Sequence, residues 1–149
     1  MLSSKLIRLV STHREELAAR VIRRIRREAR LLELGKMPEG ELRDRALEIF
    51  EHLETWLTAR PGELAESHER LGRRLCEEGV PLHEAVHALQ IIKECMIQFV
   101  QDQRTTGSTL EIYAEEELEH SSGHVFDLMI YNLVRGYESA MWRRVASAP

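Results

Sequence analysis

Apolar residues recur along this chain at three- and four-residue spacing and nowhere alternate with polar ones, which is the period of amphipathic helices and not of strands. Five helical segments follow. The first covers about residues 3–34, its better half opened by a capping box, Thr12 with Glu15, and striped by Leu17, Ala18, Val21, Ile22, Ile25, Ala29 and Leu32. Gly35 supplies the left-handed residue expected to end it. Pro38 opens the second, with Leu42, Ala46, Ile49, Phe50, Leu53, Trp56 and Leu57 inward; Pro61 opens the third, with Leu64, Leu71 and Leu75 inward and Gly79 closing it. Pro81 opens the fourth, striped by Leu82, Val86, Leu89, Ile92, Met96 and Val100.

After the linker Thr105–Gly107, a second capping box, Ser108 with Glu111, starts a long final helix running to about Val145. Its stripe is Leu110, Ala114, Leu118, Val125, Phe126, Met129, Leu133, Tyr137 and Met141, with Ser121, Ser122 and Gly123 marking a place for a kink or break. Short connections make sequential helices antiparallel neighbours. The expected fold is all-α: a helical bundle of about five helices with a long C-terminal helix, forming one domain over residues 1–149.

Composition narrows the class. At 149 residues the chain is one domain's worth, and 43% hydrophobic with 31% charged residues excludes disorder. No run reaches the ~18 apolar residues a membrane span needs, and Met1 to Val10 lacks the apolar stretch of a signal peptide. Cys76 and Cys95 show no CxxC spacing. The expectation is a soluble, cytoplasmic protein without a membrane partner.

Charge is uneven. Residues 1–36 carry ten Lys and Arg against four Glu; since the whole chain is −4, the remainder is −10. Arg20, Arg23, Arg24 and Arg27 make a basic face on the first helix, without interleaved aromatics for base stacking, so nucleic acid is not expected. The acidic cluster Glu111, Glu115, Glu116, Glu117 and Glu119 is its expected partner, within or between chains.

The most chemically suggestive motif is His83-Glu84-Ala85-Val86-His87. HExxH on a helix puts two imidazoles on one face, with a glutamate to activate a zinc-bound water. A peptidase would also need a third ligand and an edge strand, and no strand is expected; seven His and 22 Glu make a chance match easy. Glu84-x-x-His87 and Glu117-x-x-His120 resemble the ExxH pairs of di-iron bundles, but His87 lies about 30 Å and His120 about 20 Å from the turn near residue 107, out of register. His124 comes closer in level, so His83, Glu84, His87 and His124 form the alternative reading of a metal-binding helical protein or zinc-dependent hydrolase. A haem held through a single His is a further cofactor reading, and the low aromatic content counts against it. The main expectation is no cofactor and no catalysis. Ser67-His68-Glu69-Arg70 resembles the phosphoacceptor segment of a sensor kinase; without a Gly-rich ATP-binding domain, His68 is expected on the solvated surface.

Leu71-Gly72-x3-Cys76-x2-Gly79-Val80-Pro81-Leu82, then Ala85-x2-Ala88-Leu89, resembles the N-terminal domain of the RsbRD type. Phe126-Asp127, Tyr131 and Arg135-Gly136-Tyr137-Glu138 are similar to its end, and His13-Arg14-Glu15-Glu16-Leu17 fits its start. These domains precede STAS output domains in stressosome co-antagonists, and also kinase or transcription-factor modules. The resemblance implies a non-catalytic input domain of a bacterial signalling protein in the stress response, acting as a homodimer and passing its signal through the last helix to a downstream output domain or partner. Met129, Leu133, Tyr137, Met141 and Trp142, with Ile130 and Val134, cover more than one helix face. They are the expected dimer or output-coupling surface, unless the first helix of the same chain wraps them.

Overall fold

The computed structural model describes residues 2–58, 61–104 and 106–148. Six α-helices occur in the order α1 (Leu2–Thr12), α2 (Arg14–Arg27), α3 (Glu39–Thr58), α4 (Pro61–Glu77), α5 (Leu82–Asp102) and α6 (Thr109–Ser147), with a 3-10 turn at Leu34–Lys36. No strand occurs among the described residues. The fold is the expected helical bundle. At 39 residues and 1.5 Å per residue, α6 is about 58 Å long and serves as the bundle's backbone.

One core runs through all six helices. Phe50, Phe99 and Phe126 are fully buried, as are Leu17, Met96, Met129 and Leu133. The closest packing is between α4 and α6, where two glycines let the backbones touch. A Cβ on Gly72 would fall on the carbonyl oxygen of Leu133 and 2.8 Å from the amide nitrogen of Tyr137; one on Gly136 would fall on the carbonyl of Glu69, 2.8 Å from its Cα.

The connection from α4 to α5 is equally determined. Gly79 takes φ +79°, which glycine adopts at little cost. Val80 N then donates to Leu75 O at 3.0 Å and Gly79 N to Cys76 O at 3.1 Å, a Schellman closure with buried Val80 against buried Leu75. Tyr137 on α6 donates its hydroxyl to Val80 O at 2.6 Å, fixing this turn to the long helix. Burial holds the Tyr137 phenol above its usual pKa.

Three expectations differ from what is seen. The first segment is two helices meeting at His13, whose imidazole Nδ1 donates to Leu9 O at 2.9 Å; no side chain caps the start of α2. That helix also stops at Arg27, because Glu28 turns extended. Consequently Ala29 and Leu32 are exposed, Leu31 and Leu34 enter the core instead, and Gly35 does not have positive φ. Finally, α6 is one unbroken helix through residues 121–123: Ser122 Oγ bonds back to Leu118 O at 2.6 Å, which keeps its hydroxyl satisfied inside the helix. Its N-terminus is capped as expected, Ser108 Oγ accepting from Glu111 N at 3.2 Å. The Glu111 carboxylate accepts from the amides of Thr106 and Gly107, at 3.0 Å each. Thr105 of the expected linker lies outside the described residues.

Candidate functional site

The HExxH segment opens α5, but its three polar side chains diverge. His83 is exposed, whereas Glu84 is 2% exposed. The Glu84 carboxylate accepts from Glu33 N at 2.9 Å and Leu34 N at 3.3 Å, so it caps the free amides of the 3-10 turn. Arg26 holds the other end of the same segment, donating to the carbonyls of Gly35 and Met37. Glu84 thus pins residues 28–37 across the bundle. His87, half-buried, lies 3.1 Å from Gln90 Oε1 and 3.7 Å from Glu28 Oε2. His124 is exposed. Among the described residues no group of three His, Cys, Asp or Glu side chains is placed to share a metal ion.

The basic face of α2 finds its carboxylates on α5. Arg24 bonds Glu94 at 2.8 Å and Arg20 bonds Asp102 at 3.2 Å while lying over the Phe99 ring. Gln98 and Arg20 hold the Asp102 carboxyl below its usual pKa. Arg23 and Arg27 are exposed. The acidic start of α6 is engaged locally instead, Arg104 pairing bidentately with the nearly buried Glu115. Sequence spacing could not distinguish these partners, because both carry carboxylates. The exposed pairs are worth about 0–1 kcal/mol each and serve mainly to orient α2 on α5.

His68 corrects the surface expectation. It is 2% exposed in α4, with Nδ1–H donating to Leu64 O at 3.2 Å and the ring edge-on to Trp56 at 5.2 Å. Its Nε2 has no hydrogen-bond partner. Burial outweighs the Leu64 bond and nearby Glu48, so its pKa lies below the ordinary histidine value. His68 lines a cleft of about 390 Å³ between α3 and α4. Nothing in the α4 stripe distinguished this histidine from a solvated one.

The residues expected on the coupling surface divide. Met129, Leu133 and Tyr137 are buried within this chain, against α4 and the core, so they are not surface. Met141 is 46% exposed and Trp142 69%, joined by Tyr131 at 60% and Val145 at 65%. Tyr131, Val134, Glu138, Met141 and Val145 follow one another at intervals of three and four, a heptad seam down the side of α6 that faces away from α4.

Comparison with known families decides the relationship. Residues 15–146 match the family described as the RsbT co-antagonist protein rsbRD N-terminal domain. The chain belongs to the RsbRD N-terminal domain family. No curated protein and no solved structure matches it.

The RsbRD N-terminal family is one of signalling domains of the stress response. The residues that carry the resemblance have physical roles in the RsbRD domain described here. Gly72 and Gly136 make the α4–α6 crossing. Gly79 and Val80 close α4, bonding back to Cys76 and to Leu75, which the motif leaves unspecified, and Tyr137 locks that closure to α6. They determine how two helices sit on each other. No helix among the described residues is long and apolar enough to cross a membrane.

Proposed function

We propose that this RsbRD domain is a non-catalytic, cytoplasmic signalling input module that works through protein–protein contact, as a homodimer joined along the exposed seam of α6. The observation that supports this reading is the exposed apolar surface of that seam, interrupted by Glu138 and widened by Trp142 beside it. Tyr131, Met141, Trp142 and Val145 lie outside the core on a helix whose other face is already filled. A monomer gains nothing from so much clustered apolar surface, whereas pairing with a second copy removes it from water. A heptad seam also suits transmission, since a small shift of α6 against α4 moves both copies of the helix together and so reaches an output domain or partner.

Sedimentation equilibrium on the whole chain tests the proposal. The wild type sediments as a dimer, and Trp142→Asp with Val145→Asp gives a folded monomer with unchanged helical circular dichroism. A wild-type monomer, or a double variant with the same dissociation constant, overturns it.

A further inference from the structure

We propose that the cleft between α3 and α4 binds a small organic anion, a monocarboxylate with a short apolar tail. At about 390 Å³ the cleft falls within the ~300–1,000 Å³ of small-molecule sites. One wall is cationic. Arg70, Arg73 and Arg74 project from one stretch of α4, with Arg45 opposite on α3. Arg45 is already paired, bonding Glu78 at 2.8 Å, whereas the three α4 arginines have no carboxylate within ion-pair distance among the described residues. Arginine is suited to carboxylate recognition because its planar fork offers two parallel N–H donors.

The charge balance selects the anion. Glu48 and Glu77 line the same cleft, so with Arg45 held by Glu78 three guanidiniums face two carboxylates, an excess of one positive charge. One carboxylate balances that excess, whereas a second negative charge would find no uncompensated guanidinium. The remaining wall is uncharged and flat: Ile49, Leu71 and the Trp56 indole, with His68 behind it. The Nδ1 proton of His68 is committed to Leu64 O, and its Nε2 is a buried acceptor that the protein leaves unfilled. Behind Ile49 and Leu71 lies a second, apolar recess of about 60 Å³, also bordered by Arg45 and lined by Leu42, Leu75, Leu89 and Leu133. A carboxylate held on Arg70, Arg73 and Arg74 therefore directs an apolar tail over Ile49 and Leu71 toward this recess.

Such a ligand would bridge α3 and α4 beside the α4–α6 crossing. It would supply the signal for the input-domain reading and rests on that reading only for its consequence; binding itself is measured without reference to dimerisation or output.

Trp56 reports on the cleft directly, and Trp142→Phe leaves it as the only tryptophan. In that background the full chain is titrated with acetate, butyrate, hexanoate and inorganic phosphate while Trp56 fluorescence is followed. Saturable quenching is expected, with affinity rising from acetate to hexanoate and no saturable response to phosphate. Arg70→Ala with Arg74→Ala, both at exposed positions, should weaken hexanoate binding at least tenfold, while Arg43→Ala, outside the cleft, leaves it unchanged. Equal affinity for phosphate and hexanoate, no dependence on tail length, or unaltered binding by the double arginine variant overturns the proposal, as does the absence of any saturable response.

Discussion

Gly72 of α4 and Gly136 of α6 are reciprocal: each occupies the point where a Cβ would strike the backbone of the other helix. The obstacles are the Leu133 and Glu69 carbonyls, and backbone carbonyls of packed helices cannot swing aside as a flexible side chain can. The crossing distance is therefore set by two hydrogen atoms. Gly136→Ala should cost about 3 kcal/mol, at the upper end of overpacking effects. Gly123, on the same helix, has open space around its Cβ position, so Gly123→Ala should add about 0.5–1 kcal/mol by helix propensity. Urea denaturation of both variants checks the contrast, and equal effects would remove the crossing argument.

Glu84 provides the second prediction. Its carboxylate is the acceptor for the amides of Glu33 and Leu34, so Glu84→Ala leaves one buried and one part-buried donor unpaired. The expected loss is about 2–3 kcal/mol, typical for hydrogen bonds to a charged group. Glu84→Gln keeps one acceptor oxygen and should lose less. His83→Ala, at an exposed position, should stay within about 0.5 kcal/mol of wild type. A neutral Glu84→Ala would show that the segment 28–37 is held by something else.

The Tyr137 hydroxyl is the tie between α6 and the α4–α5 turn. Tyr137→Phe keeps the ring but orphans the Val80 carbonyl, with an expected cost of about 1–2 kcal/mol. Amide exchange should quicken at Gly79 and Val80 more than elsewhere. Uniform quickening over the whole chain would mean that the bond contributes only to global stability.

Acid should find His68. An unfolded histidine titrates near ~6.5, whereas burial places the folded imidazole lower, despite the pull of Glu48 and with Arg45, Arg70, Arg73 and Arg74 lining the same cleft. As pH falls through ~6.5 the unfolded chain takes up a proton that the folded chain refuses. Stability is therefore full above that pH and falls below it, by at most ~1.4 kcal/mol per pH unit for one proton. Comparing denaturation at pH 7 and pH 5, His68→Leu should flatten this slope by up to that amount, the other histidines being common to both chains. Parallel slopes would contradict the assignment.

How much of this was legible in the sequence depends on the kind of interaction. Periodicity located α3 to α6, and Gly79 and Ser108 marked the end of α4 and the cap of α6, because apolar spacing and the residues Pro38, Pro61, Gly79, Pro81 and Ser108 are local signals. The end of α2 at Arg27 was not legible, since the contacts holding residues 28–37 come from Arg26 and, fifty residues away, from Glu84. HExxH drew attention to Glu84 for its chemistry, while the fold uses it as a cap. On α6 the stripe identified apolar positions without saying which were covered. Met129, Leu133 and Tyr137 face α4, and Tyr131 and Val145, which a core-centred stripe omits, are left outside. The cleft at His68 depends on the divergence of α3 and α4, which no local pattern encodes. The glycines at 72 and 136 stood inside the segments that resembled the family, and only the packed helices reveal why those positions are glycine.

The most direct test of the contact-acting reading is thiol cross-linking on α6. Cys76 and Cys95 are buried, and burial holds the Cys95 thiol above its usual pKa, so an introduced cysteine reacts selectively. Val145 lies on the seam, and Arg143, also exposed, points to another side of the helix. With a short bis-maleimide, Val145→Cys should give a covalent dimer in high yield and Arg143→Cys should remain monomeric. Equal cross-linking at both positions, or none at Val145→Cys, would contradict pairing along the seam and the account built on it.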